Sequence, residues 1–298
     1  MVERSYMSDI ESTLKELYQK DNFRIIDTPH VQGENTPKRA VIYFSTNDIF
    51  KEGDWNDLNL KIIQKDRYEY HRNLLKNADR HIFVRDLLHL WYLKGINARI
   101  NSIPRLADFL KEQTKGYEVT TIGLSVGGFI AMLMGSLLKA HMVICFSGIF
   151  DCWAYTRKCI PNHPSLPFLE KHPYRQTEEI IRRSNVPIYF FAATQCLNDA
   201  EDLAKAEASP NIRVFRMNNA THHMPIDICC LTNILNLEKE EFEQLYKKMK
   251  GKDISKAKIG RYFFGLSYYF KTPLKRLAIR FVPLKSWRKK LRKKYLFK

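Results

Sequence analysis

The chain lacks every cysteine pattern that would point to a metal or redox site. Its six cysteines, Cys145, Cys152, Cys159, Cys196, Cys229 and Cys230, include no C-x-x-C pair and no framework spacing, and adjacent cysteines are badly placed for a useful disulfide. They read as reduced thiols that pack as small hydrophobes, and no metal or cofactor is expected. No stretch approaches the about 18 uninterrupted apolar residues that a membrane span requires. The N-terminal stretch "MVERSYMSDIESTLKEL" carries charge from its third residue and has no apolar segment of the kind a secretory signal needs, so a cytoplasmic location is expected. Gly-x-Gly-x-x-Gly and Walker motifs are also absent, which removes the common nucleotide cradles.

What is there suits a globular enzyme or binding domain. The 298 residues are 45% apolar, enough to fill a large core. The net charge of +17 is unevenly spread: residues 252–298 hold sixteen Lys or Arg against one acid, leaving 33 basic and 31 acidic residues in 1–251. The body is nearly neutral and the charge is a tail.

Along the body, short Val/Ile/Phe/Tyr-rich runs alternate with helical patterns, as in an α/β fold with a mostly parallel sheet and helices on both faces. Strands are expected at "AVIYFS" (40–45), "HIFVRD" (81–86), "EVTTIGL" (118–124), "MVICFSG" (142–148), "VPIYFFAAT" (186–194) and "NIRVFRM" (211–217). Between them, "SIPRLADFLKEQT" reads as a helix with Ser102 as N-cap. A second helix follows residue 125, with Phe129, Met132, Leu133 and Leu137 on its apolar face. "DAEDLAKAEA" and "PIDICCLTNILNL" complete the helices. One domain to about residue 250 is the economical division, with the proline-rich stretch 151–175 as a possible cap and 251–298 as a basic aromatic extension.

One junction stands out. "TTIGLSVGG" runs a strand into a helix through a serine flanked by glycines, Gly123-Leu124-Ser125-Val126-Gly127. A serine hydroxyl becomes a useful nucleophile when a tight strand-to-helix turn lifts it toward a histidine. Val126, the next residue, offers its N–H at a helix N-terminus, where negative charge is favoured. A glycine turn that permits close packing, or that cradles a phosphate, is the competing interpretation.

The elbow in its strand-helix context resembles the α/β-hydrolase family. With "VIYFSTND", "FVRDLLHLWYLKG" and the basic C-terminus, the chain resembles in particular the hydrolase-like proteins encoded in bacterial capsule and lipopolysaccharide gene clusters. The resemblance implies Ser125 as nucleophile, followed in the chain by an acid and then a histidine. His222 and His223 follow the "NIRVFRM" strand. His222 is favoured because the resembling proteins carry Thr-His or Ser-His there, and His223 is the alternative. On the loop after "VPIYFFAAT", Asp199 is the first candidate acid, although it equally suits the N-cap of the next helix. Asp202 and Asp151 are the alternates. The oxyanion hole would combine Val126 with backbone near Ser45 and Thr46, where the His-Gly-Gly-Gly of lipases is missing. "DWND" (54–57) reads as a charged helix start or loop in preference to a metal or sugar-nucleotide carboxylate pair, and "HLWYLKG" (89–95) as helix packing.

In the tail, Leu284, Trp287, Leu291 and Tyr295 fall on one helical face, while Arg288, Lys289, Lys290, Arg292, Lys293 and Lys294 cover the others. Residues 287–295 therefore suit an anionic membrane surface. Single-stranded nucleic acid is a weaker fit, and a solvated extension the bland one. The expectation is a serine-dependent esterase or acyltransferase acting on an acylated glycan or glycolipid at the inner face of the membrane. The alternatives are a non-catalytic accessory protein gathering polysaccharide-assembly partners, and, more distantly, a glycosyl- or phosphotransferase.

Overall fold

The expected strands form the middle of one larger sheet. The computed structural model describes residues 2–30, 36–71, 74–218, 220–223, 225–265 and 287. Its strands are β1 (Phe23–Asp27), β2 (Arg39–Phe44), β3 (Arg80–Val84), β4 (Glu118–Leu124), β5 (Met142–Phe146), β6 (Ile188–Ala193), β7 (Ile212–Asn218) and β8 (Ile254–Ser255). They lie in the order β1-β3-β2-β4-β5-β6-β7-β8, with β1 antiparallel to β3 at one edge and the other pairs parallel.

Helices fill the crossovers. α1 (Val2–Tyr18) precedes β1, and α2 (Trp55–Leu58) runs into a π-helical turn between β2 and β3. α3 (Ile103–Gln113) and α4 (Val126–Leu138) flank β4, while α5 (Cys152–Cys159), α6 (Leu166–Lys171) and α7 (Glu178–Arg183) lie between β5 and β6. α8 (Ala200–Ala208) joins β6 to β7, α9 (Ile228–Leu235) and α10 (Lys239–Met249) follow β7, and α11 (Lys256–Phe264) follows β8. Among the described residues no helix is long and apolar enough to cross a membrane.

Strand alternation divides the core into two layers. Ile42, Phe44, Ile82 and Val84 face the layer that contains α3 and α4, whereas Val41, Tyr43 and Phe83 face the layer that contains α9 and α10. β5 and β6 are buried at every position, as strands covered on both faces must be. The cap read from the sequence forms as well, Ser102 accepting from Arg105 N–H at the start of α3, and Asp54 accepts from Asp57 N–H at the start of α2.

Three features differ from the sequence reading. α4 is buried on all sides from Val126 to Ser136, and Leu137, expected on its inner face, is 38% exposed. It is the central helix of its layer, so no polar face was needed. The sheet continues beyond residue 250, because Ile254 and Ser255 pair with Met217 and Asn218. The stretch "HLWYLKG" is a loop rather than a packing helix: His89, Trp91 and Tyr92 have positive φ, and the Asp86 carboxylate accepts N–H bonds from Leu88, Leu90 and Tyr92.

The proline-rich stretch folds as α5 and α6, with Trp153, Tyr155 and Phe168 packed against the α4 layer. Asp151 caps α5 by accepting from Ala154 N–H at 2.9 Å, and it also accepts from Gln176 Nε2 at 2.7 Å. Asp202, buried on α8, accepts from Phe150 N–H at 2.8 Å. Burial pushes its carboxyl up to about 7.

A carboxyl raised on folding costs nothing below its unfolded pKa, and it costs progressively more as the pH climbs toward the folded value. Asp202→Asn keeps an acceptor for Phe150. Its melting temperature relative to wild type is expected to rise between pH 4 and pH 8, by an amount corresponding to at most about 4 kcal/mol. A difference that stays flat with pH would rule out a buried charge at this position.

Candidate active site

Ser125 joins β4 to α4 in a backbone conformation that non-glycine residues seldom adopt, φ 53° and ψ −117°. Two close approaches enforce it. A Cβ on Gly123 would lie 1.9 Å from the Gly127 carbonyl oxygen, and a Cβ on Gly127 would lie 2.4 Å from the Phe44 carbonyl oxygen. Only glycine lets the turn close this tightly. The Ser125 N–H donates to Phe146 O at 2.9 Å, which fastens the turn to β5.

Because β4, β6 and β7 are parallel, the loops that leave them gather at one end of the sheet. There His222 Nδ1–H donates to Asp199 Oδ1 at 2.7 Å, and Ser125 Oγ–H donates to His222 Nε2 at 2.7 Å. A carboxylate only accepts, so Asp199 fixes the proton on Nδ1 and leaves the Nε2 lone pair facing the serine. Asp199 and His222 are buried, at 5% and 7% exposure. Asp199 occupies the N-cap position of α8 without making a side-chain cap bond. Its carboxylate serves the histidine instead.

The strand order with its antiparallel edge, the strand-turn-helix around Ser125, and the chain order Ser125, Asp199, His222 complete one pattern. The fold is that of the α/β-hydrolases. No family model and no curated protein matches the sequence. Among solved structures, the chain is similar to the capsule O-acetyltransferase of Neisseria meningitidis serogroup A, with 10% identity over 76% of this chain and 92% of that one and a TM-score of 0.47. It is similar to Est1E from Butyrivibrio proteoclasticus at 13% identity, over 76% and 94%, with a TM-score of 0.48. A Glycosylation Associate Protein (Gap123) complex from Streptococcus agalactiae gives 15% identity, 77% and 44% coverage and a TM-score of 0.44.

Within this hydrolase fold the alternates stand apart from the triad. Asp202 and Asp151 are held by the backbone bonds described above. His223 points outward, its side chain 70% exposed and its Nδ1 3.4 Å from Asp48. The oxyanion expectation needs correction in one half. Val126 opens α4, so its N–H has no intrahelical acceptor. The two N–H groups expected from the loop after β2 are both engaged: Ser45 donates to Val84 O at 3.0 Å, and Thr46 donates to Glu69 Oε2 at 2.8 Å. The Thr46 hydroxyl also donates to Glu69 Oε1, at 3.0 Å. Burial raises the Glu69 carboxyl above its ordinary range. Tyr92 braces the same loop by donating to Ser45 O at 2.8 Å.

Two participants had no sequence signal. Glu69 lies in a charged stretch that suggests only solvent, and Tyr155 is 67 residues from His222 in the chain yet stacks on its ring. A cleft of about 640 Å³ opens beside Leu124, lined by Arg24, Arg67, Tyr68, Glu69, His71 and Leu231. No triad residue lines it, and Leu124, next to Ser125 in sequence, is the link between the two. The tail residues proposed for the membrane, 287–295, lie outside the described residues except Trp287, which is 59% exposed.

Alanine at Gly123 or Gly127 forces backbone apart rather than a flexible side chain. Each single variant is expected to cost more than about 3 kcal/mol, roughly 6 °C or more for a domain of this size. Thermal melts check this, and a loss below 2 °C in both variants would show that the turn relaxes freely.

Proposed function

We propose that the protein is a serine-dependent acyl-ester hydrolase or acyltransferase whose substrate is an acylated glycan or glycolipid of bacterial surface polysaccharide. The observation that carries the chemistry is the His222 imidazole held between Asp199 and Ser125 at 2.7 Å on each side. Ser125 Oγ attacks the ester carbonyl carbon while His222 Nε2 takes its proton. Asp199 holds the ring and balances the imidazolium, and the Val126 N–H meets the developing oxyanion. The C–O bond to the leaving group then breaks, and the departing oxygen takes the proton from Nε2. Water or a sugar hydroxyl resolves the acyl-enzyme by the reverse sequence, releasing an acid or forming a new ester. The glycan part of the proposal rests on the family resemblance and on the basic aromatic tail, which suits a protein held at the inner face of the cytoplasmic membrane.

One feature favours a second reading, a non-catalytic hydrolase-fold accessory protein that recruits a polysaccharide-assembly complex to the membrane. The Thr46 N–H is already bound by Glu69. A hole with one donor occupied by a carboxylate stabilises an oxyanion poorly.

Labelling of the purified chain with a fluorophosphonate separates the two. Wild type is expected to label, Ser125→Ala not at all, and His222→Ala and Asp199→Asn more slowly by factors on the order of 10³ or more. His223→Ala is expected to stay within about twofold of wild type, since that ring is exposed and bonds neither Ser125 nor Asp199. Folded wild type that does not label would move the weight to the accessory role. For the tail, the full chain is expected to sediment with vesicles containing anionic lipid, to release in high salt, and to ignore purely zwitterionic vesicles. Equal binding to both would remove the electrostatic membrane contact.

A further inference from the structure

Helix α5 brings a second hydroxyl to the imidazole. Tyr155 OH lies 3.4 Å from His222 Nε2, the nitrogen that Ser125 Oγ reaches at 2.7 Å. A neutral imidazole offers one lone pair there, and 3.4 Å is long for an O–H···N bond. Ser125 therefore holds the nitrogen, and the tyrosine hydroxyl stands beside it, next to the Cys159 thiol. Its place is fixed by packing: the Tyr155 ring stacks on His222 with centroids 5.7 Å apart at 27°, and Trp91 meets it edge-on at 6.0 Å. Burial, with the neighbouring Cys159 and Asp199 acting in the same direction, raises the phenol above its ordinary range. It keeps its proton and is a donor.

The geometry of acyl transfer gives that donor a role. The oxygen that leaves in acylation must take a proton from Nε2 across roughly 3 Å, and the incoming oxygen passes through the same point in reverse. A hydroxyl 3.4 Å from the same nitrogen, held against the face of its ring, borders that point. We infer that Tyr155 donates a hydrogen bond to the leaving oxygen during acylation and to the acceptor oxygen, water or a sugar hydroxyl, during deacylation. The inference rests on the acyl-enzyme reading. In the step, the bond from Ser125 Oγ to the acyl carbon forms and the bond to the leaving oxygen breaks. The serine proton travels through Nε2 to that oxygen, while Tyr155 retains its own. The bond is strongest when the leaving oxygen carries most charge, so it selects for alkyl and sugar esters, whose alkoxides are poor leaving groups.

Tyr155→Phe in the full chain tests this with two esters and one probe. The fluorophosphonate, which loses fluoride, is expected to label the variant within about twofold of wild type. Hydrolysis of p-nitrophenyl acetate, whose leaving anion is stabilised by resonance, is expected to stay within about threefold, and kcat/KM for ethyl acetate to fall about tenfold or more. Equal losses on both esters, or none on either, would overturn the assignment. If wild type itself fails to label, the acyl-enzyme reading falls first and Tyr155 with it. Should the variant not fold, the wild-type enzyme still decides: rates across a series from aryl to alkyl acetates are expected to fall shallowly with leaving-group basicity. A steep fall would show an oxygen departing without help.

Discussion

The end of β2, the end of β4 and the first turn of α4 meet with no side chain between them, and the site is built around that approach. The Phe44 carbonyl oxygen occupies space that a Cβ on Gly127 would need, and the Gly127 carbonyl fills the space that a Cβ on Gly123 would need. With α4 drawn so close, the link between strand and helix is left a single residue, Ser125, bent to positive φ. The same approach carries α4 into the centre of its layer, where it is buried all round, and sets the loop after β2 beside the helix N-terminus. A strained residue persists only when its surroundings over-determine it. Here two backbone contacts and the bond from Ser125 N–H to Phe146 O do so.

Charge organises the other side of the serine. The Glu69 carboxylate accepts from both the N–H and the hydroxyl of Thr46, so an anion developing against that backbone meets a carboxylate first. Like charges at such range repel strongly in a partly buried site. Burial works against the repulsion by raising the Glu69 carboxyl toward its neutral form. The Val126 N–H carries no such complication, because the first N–H groups of a helix have no intrahelical acceptor. The two sides therefore differ in kind: the Val126 N–H has no acceptor within its helix, whereas the Ser45 and Thr46 N–H groups are committed to Val84 and Glu69.

Local chemistry was legible in the sequence wherever it repeats within a few residues. The central strands announced themselves as apolar runs, Ser102 as a cap, and Ser125 as a serine in a glycine turn. The chain order implied by the family resemblance pointed to Asp199 and His222, and the structure places His222 between Asp199 and Ser125, because parallel strands deliver successive loops to one end of a sheet. What stayed hidden depends on contacts distant in sequence. Ile254 and Ser255 are too short to read as a strand, and only pairing with β7 makes them one. The loop 89–95 has helix-compatible residues, yet the Asp86 carboxylate collects its N–H groups and turns it left-handed. The commitment of Thr46 to Glu69 joins residues 23 apart, and the stack of Tyr155 on His222 joins residues 67 apart. No spacing rule reports either.

The division between hydrolysis and transfer follows from the same separation. In the proposed mechanism one nitrogen, His222 Nε2, serves three oxygens in turn: the serine, the group that leaves and the group that arrives. In that mechanism Asp199 supports the imidazole in every exchange, so the triad specifies an acyl-enzyme and not which oxygen resolves it. The other neighbour of Nε2 comes from elsewhere, from Tyr155 on α5, whose ring meets Trp91 in the loop after β3 edge-on. In the proposed mechanism, selection between water and a sugar hydroxyl would fall to the residues around that nitrogen, of which Tyr155 belongs to the segment inserted between β5 and β6. That segment is the proline-rich, aperiodic part of the chain, where the sequence has least to say about structure, and a motif search passes over it.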